Sequence, residues 1–207
     1  MSLRDEFGDI DIYLFDQLLK GRIEPSMAVL DAGCGGGRNL VWLLRQGCAV
    51  SGVDESEIAI ERIRELARRL APGLPAESFQ VAPVTALPFE DGRFDAVLCN
   101  AVLHFARDDN HFVSMVDELW RVLARGGVLF VRLATTISVE QRVTLMRKRW
   151  YALPDGTERF LVDEATLLAQ TERLGGRLLD PLKTTNVQNL RAMTTWVVGK
   201  SPSHAAS

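Results

Sequence analysis

Three glycines at alternate positions, Gly33, Gly35 and Gly37, follow an apolar run that ends in Asp31 within the segment VLDAGCGGGRNL. Without Cβ atoms a backbone can pass close to a ligand, and a glycine turn at the carboxyl end of a parallel strand is where such sheets bind nucleotide-like molecules. Asp54 comes 23 residues after Asp31, at the end of the next apolar run, with Glu55 beside it. A carboxylate at that place can accept both hydrogen bonds of an unphosphorylated ribose diol.

A glycine turn alone does not name its ligand. The dinucleotide fingerprint puts its last glycine at the sixth position, which counted from Gly33 is Arg38. Asp31 would repel a pyrophosphate and suits a cationic ligand such as S-adenosylmethionine. The chain also has no Tyr-x-x-x-Lys pair. A nicotinamide-dependent oxidoreductase is therefore the weaker alternative, and a non-catalytic cofactor-binding module is a second one.

Beyond the loop, the sequence resembles the class I S-adenosylmethionine-dependent methyltransferases over roughly Met27 to Leu133. The resemblance rests on DAGCGGGR, on Asp54, on LPFEDGRFDAVLCNAVLHF and on LWRVLARGGVLFV. It implies that Asp31 orients the methionine amino group, directly or through water. The backbone of Gly33, Cys34, Gly35 and Gly37 would lie against the cofactor, Asp54 and Glu55 would sit at the ribose, and Asn100 near the methionine and methyl group. The family commonly has Asp-Ala four residues before its Leu-Pro pair, to hold adenine. Pro83 and Val84 stand there instead, so adenine would rest on the Val84 backbone, on packing, or on Thr85. GCGGGRNL followed by an early ribose acid also resembles small bacterial tellurite or thiol methyltransferases.

The implied reaction is an in-line displacement on a sulfonium carbon that yields S-adenosylhomocysteine. Holding nucleophile and methyl carbon near attack geometry can supply about 7–11 kcal/mol, so a general base is optional. His104 is the candidate base; its other reading is a residue that caps or packs the loop. Tyr13 on a leading helix and an aromatic wall of Trp150, Tyr151 and Phe160 are the candidate substrate contacts. No metal site is expected.

The elements that must position these residues alternate as βα units of a Rossmann-like, doubly wound α/β fold: a mostly parallel seven-stranded sheet closed by a C-terminal antiparallel hairpin. Strands are expected at Met27–Asp31, Cys48–Val53, Ser78–Ala82, Phe94–Asn100 and Val128–Ala134. Helices should follow the glycine loop, run from Ser56 to about Leu70 with Ile58, Ile63, Leu66 and Leu70 buried, and span Asp108–Leu123 and Asp163–Leu174. The spacing over Val139–Trp150 also predicts a basic helix. The closing hairpin is placed near Arg177–Leu182 and Ala192–Gly199, and the tail from Ser201 is expected to fray. One domain over residues 1–207 carries a helical cap at 1–25 and an insertion at 135–161 that serves as a candidate substrate lid.

Composition narrows the setting. The chain has 207 residues, 47% of them hydrophobic, and a net charge of −3, enough to bury roughly 70% of its unfolded surface without staples. That balance does not announce nucleic acid, and no Asn/Asp-Pro-Pro-Tyr motif is present; Arg142, Arg147, Lys148 and Arg149 are the local exception. Three cysteines in apolar or glycine-rich stretches, an acidic N-terminus and the lack of a long apolar run point to a cytoplasmic, membrane-free protein with reduced thiols and a small-molecule acceptor.

Overall fold

The computed structural model describes residues 2–202. Two short helices lead, α1 (Leu3–Phe7) and α2 (Ile12–Leu19). The core alternates β1 (Ala28–Ala32), α3 (Val41–Arg45), β2 (Ala49–Asp54), α4 (Glu57–Leu70), β3 (Phe79–Val81), β4 (Phe94–Asn100), α5 (Asp109–Val122) and β5 (Leu123–Ala134). An insertion follows with β6 (Thr144–Arg147), β7 (Trp150–Ala152) and β8 (Glu158–Phe160). The chain then forms α6 (Glu164–Arg173), β9 (Gly176–Leu178), β10 (Lys183–Val187) and β11 (Arg191–Lys200).

The main sheet runs β10-β11-β5-β4-β1-β2-β3, with β9 also paired to β11. Strands β1 to β5 are parallel neighbours, and β9, β10 and β11 join antiparallel. This is the doubly wound sheet that the βα alternation implies. Successive side chains of a strand point to opposite faces. Leu30, Val97 and Cys99 therefore enter one apolar cluster with Phe112, Leu119 and Leu167 of α5 and α6, while Val29, Ala96 and Leu98 enter another with Leu14, Leu44 and Ile63 of α2, α3 and α4. The strand order reverses at β1 and β4, so their carboxyl ends open the crevice where ligands bind in such sheets.

Four local expectations change. Val139–Trp150 is a hairpin, not a helix: the three-stranded sheet β6-β7-β8 lets adjacent residues face opposite ways, Trp150 toward the main core and Tyr151 toward a small cluster with Ala134 and Leu161. On α4 the buried stripe is Ile60, Ile63 and Ala67, and Ile58 is exposed. The glycine pair Gly126 and Gly127, which the sequence places as the break between the Asp108–Leu123 helix and the next strand, lies inside β5 beside the register shift between Phe94 and Ala96, and α5 ends at Val122 without a glycine cap. The hairpin partner of β11 is β10, with β9 pairing a shorter stretch along the same side, while the other side of β11 pairs with β5. The tail beyond residue 202 lies outside the described residues.

Candidate functional site

The glycine loop is fixed from below and from the side. Gly33 and Cys34 donate their N–H groups to Val53 O at 2.8 and 2.9 Å. Asp54, the last residue of β2, accepts Gly35 N–H on Oδ2 and Ser56 N–H on Oδ1, both at 2.9 Å. Each oxygen keeps a lone pair, so Asp54 shapes the loop and can still accept from a ligand. Gly33 has φ +82°, and a Cβ there would overlap Val102 Cγ2 of the loop after β4. The glycine thus brings the ends of β1 and β4 together.

A cavity of about 670 Å³ opens at those strand ends. Gly33, Asp54, Glu55, Pro83, Val84 and Asn100 line it, together with Thr85 and the apolar Val102, Phe105 and Met115. Six of the sequence-predicted cofactor residues are thereby brought together. Gly35, Gly37, Cys34 and Asp31 are not on the wall. Cys34 is buried against Gly52, and burial, ahead of the fields of Asp31 and Asp54, pushes its thiol up. Its side chain is core.

Asp31 lies beneath the loop, 1% exposed, and neither carboxylate oxygen has a hydrogen-bond partner. Burial raises its pKa to about 7, with Arg38 pulling it down and Asp54 pushing it up. Both amide atoms of Asn100 are likewise buried and unpartnered. Buried polar groups are normally paired, so two such residues at adjacent strand ends mark a place that a polar, cation-bearing ligand would complete.

A second cavity of about 310 Å³ adjoins the first and shares Asn100 and Ala101 with it. Ala101 has φ +63°, a backbone state that costs on the order of 1 kcal/mol for a residue with a Cβ. Its N–H donates to Arg132 O at 2.7 Å, which holds the corner. Arg38, Arg132, Arg159, Arg191 and His104 line this cavity, with Leu153, Asp155 and Thr157 from the β7–β8 turn and its flanks. The insertion thus forms one wall.

His104 sits in a 3₁₀ turn after β4, and its Nδ1 accepts Ala134 N–H at 3.1 Å. The neutral ring therefore carries its proton on Nε2 and offers a donor. Burial first, then the fields of Arg159 and Arg191, lower its pKa to about 4. A proton-accepting role near neutral pH does not follow from this geometry.

The candidate aromatic contacts lie behind the walls. Tyr13 Oη meets Thr185 Oγ1 at 2.6 Å, and its ring lies 5.0 Å below the Arg132 guanidinium. Trp150 Nε1–H donates to Arg107 O at 2.9 Å, Phe160 stacks on Phe112, and Tyr151 packs inside the insertion. Arg107, His111 and Met115, and the four arginines of the smaller cavity, were not among the candidates. Apart from Arg38, which ends the stretch DAGCGGGR, the arginines come from segments with no motif of their own. In the basic stretch, Arg149 pairs with Asp109 at 2.8 Å and Arg147 lies over Trp150. Among the described residues no acidic, His or Cys group has metal-ligand spacing, and no helix is long and apolar enough to cross a membrane.

This crevice lies where comparison with known proteins is informative. Residues 30–131 match the family model described as Methyltransferase domain, and this segment, which holds the glycine loop, Asp54 and Asn100, belongs to that family. An uncharacterised methyltransferase of Bacillus subtilis is 34% identical over 112 residues, covering 54% of this chain and 45% of that protein. The malonyl-[acyl-carrier protein] O-methyltransferase of Enterobacter lignolyticus is 30% identical over 168 residues, covering 80% of this chain and 61% of that protein. The chain thus spans between 45% and 61% of the length of these two curated relatives. Among solved structures, the Burkholderia thailandensis 1,6-didemethyltoxoflavin-N1-methyltransferase, bound to 1,6-didemethyltoxoflavin and S-adenosylhomocysteine, shares the fold. It aligns with a TM-score of 0.69 at 21% identity, over 95% of this chain and 80% of that one.

Proposed function

We propose that the protein is an S-adenosylmethionine-dependent methyltransferase acting on a small-molecule acceptor. The observation that carries this reading is the meeting of two cavities at Asn100 and Ala101, one lined by Gly33, Asp54 and Val84, the other open to a separate molecule. When bound, S-adenosylmethionine supplies an electrophilic methyl carbon on a cationic sulfur that leaves as a neutral thioether. The chain's own groups bind and orient. Asp54 accepts from the ribose hydroxyls through its free lone pairs, with Glu55 beside it. Asp31, beneath the loop, orients the methionine ammonium directly or through water, and Asn100 stands at the neighbouring strand end. Pro83 brings no carboxylate to adenine, which leaves the Val84 backbone, the Thr85 hydroxyl and the apolar walls at Val102 and Met115.

The acceptor's lone pair forms the new bond to carbon while the carbon–sulfur bond breaks, so orientation across the junction carries most of the rate. Among the groups lining the smaller cavity none is poised as a base at neutral pH, which suits a nucleophile that already holds its electron pair. In the same reading α2 and the insertion cover the acceptor side, and the small volume there suits a small molecule rather than a polynucleotide. Titration calorimetry with S-adenosylmethionine and S-adenosylhomocysteine tests the reading. One-to-one saturable binding of both is expected; folded protein that binds neither would refute it.

A further inference from the structure

The smaller cavity has a chemical bias that methyl transfer does not require. Four guanidinium groups, from Arg38, Arg132, Arg159 and Arg191, line it against the single carboxylate of Asp155. Arg132 is already paired, with Asp11 Oδ2 2.7 Å from its Nη1. Arg191 lies 3.8 Å from Asp155, whose other oxygen accepts the Thr157 N–H at 3.0 Å and also its hydroxyl. Among the described residues no carboxylate lies within ion-pair distance of Arg38 or Arg159. Arg159 instead stacks 4.9 Å above the exposed ring of Phe105, at the mouth shared with the larger cavity.

The neutral groups on the same wall also donate. His104, 6% exposed, presents Nε2–H because its Nδ1 is engaged by Ala134. Asn100, 8% exposed, has both amide atoms without a partner and lines both cavities. Buried donors and planar cations lining one partly open cavity favour an anion with coplanar or trigonal oxygens, which guanidinium groups grip through paired, charge-assisted hydrogen bonds. A cationic acceptor would face four guanidinium groups against the single carboxylate of Asp155.

We propose that the smaller cavity is a recognition site for an organic anion, and that the methyl acceptor carries a carboxylate or phosphate gripped by Arg159 and Arg191, with Arg38, His104 and Asn100 completing the donor set. That the anion belongs to the acceptor rests on the methyltransferase reading; the anion site itself does not. Arg132 is a positioning residue here, held by Asp11 and by the ring of Tyr13 beneath it.

The test is calorimetry on the full chain, with and without saturating S-adenosylhomocysteine, using benzoate, phenyl phosphate and the neutral isostere benzamide. At least one of the two anions should bind tenfold or more tighter than benzamide, and the tighter anion identifies the oxygen group preferred. The double variant R159Q/R191Q should lose at least tenfold of that affinity while its melting temperature and its affinity for S-adenosylhomocysteine stay unchanged. Should the double variant fail to fold, R191Q, whose side chain is largely exposed, should still lose threefold or more. Benzamide binding as well as the anions, no binding of either anion to folded protein, or anion binding that survives R159Q/R191Q would overturn the proposal. Anion binding that is lost in R159Q/R191Q, in a protein that binds no S-adenosylhomocysteine, would support the anion site and defeat only the methyltransferase reading.

Discussion

The two cavities that meet at Asn100 bury opposite problems. Beneath the larger one lies an acid that is hard to ionise, Asp31, whose pKa burial raises to about 7. On the wall of the smaller one lies a base that is hard to protonate, His104, lowered to about 4 by burial and by two arginines. The first is poised for a cationic ligand group and the second for an anionic one. On the proposed two-ligand reading this crevice sorts its ligands by charge as well as by shape, and each side can be disturbed separately.

Gly33→Ala should be the most severe change, because it strikes the junction itself. A methyl at φ +82° would collide with Val102, and backbone strain plus overpacking should cost about 2–4 kcal/mol. Urea unfolding would report the loss; an unchanged midpoint would show that the two strand ends are not locked together there.

Asp31→Asn should separate stability from binding. Between the ordinary value of 3.8 and about 7, the folded chain keeps a proton that the unfolded chain has released. The contribution of Asp31 to stability is therefore full below the lower value and lost as pH rises through the upper one. The amide removes that loss, so the ligand-free variant should be more stable at pH 8 by about 1–3 kcal/mol. Its affinity for S-adenosylhomocysteine should fall tenfold or more. A variant that binds as well as the parent would remove Asp31 from the site.

Asp54→Ala should weaken S-adenosylhomocysteine binding by about 1–3 kcal/mol, since it deletes a charged acceptor and frees Gly35 and Ser56 N–H. His104→Gln is the smaller, mirror-image test. The unfolded chain takes up a proton below 6.5 that the folded chain refuses until about 4. The stability His104 contributes is thus full above the first value and lost as pH falls through the second. Glutamine should flatten that acid-side decline and leave activity without an inflection attributable to His104 between pH 5 and 8. A lost inflection in that range would restore a proton-accepting role.

The larger cavity was legible because its chemistry is written in contiguous stretches. Strand, glycine loop and the following acid occupy fixed offsets that place Gly33 and Asp54, the family resemblance adds Glu55, Pro83, Val84 and Asn100, and all six share one wall. The smaller cavity draws Arg38 from the loop, Arg132 from β5, Arg159 from β8 and Arg191 from β11. No local spacing joins them; only the sheet order and the insertion do. Arg38 stands where the dinucleotide fingerprint has its last glycine and ends DAGCGGGR, and neither place points to a second cavity. The insertion misled because apolar residues from Val139 to Trp150 fit a helical period, whereas pairing Trp150 with Phe160 and Tyr151 with Arg159 makes a ladder. The aromatic residues Tyr13, Trp150 and Tyr151, candidate substrate contacts in the sequence, line neither cavity and stand as supports: one under Arg132, one against the core, one in the small cluster beside the insertion.

Two adjoining sites with separate ligands are tested most directly by a paired calorimetric titration of Asp54→Ala and R159Q/R191Q with S-adenosylhomocysteine and with the tighter of benzoate and phenyl phosphate. Asp54→Ala should bind the first ligand more weakly and the second unchanged, while R159Q/R191Q should do the reverse. If both variants lose the same ligand, or neither loses any, the division of the crevice into a cofactor side and an anion side is wrong.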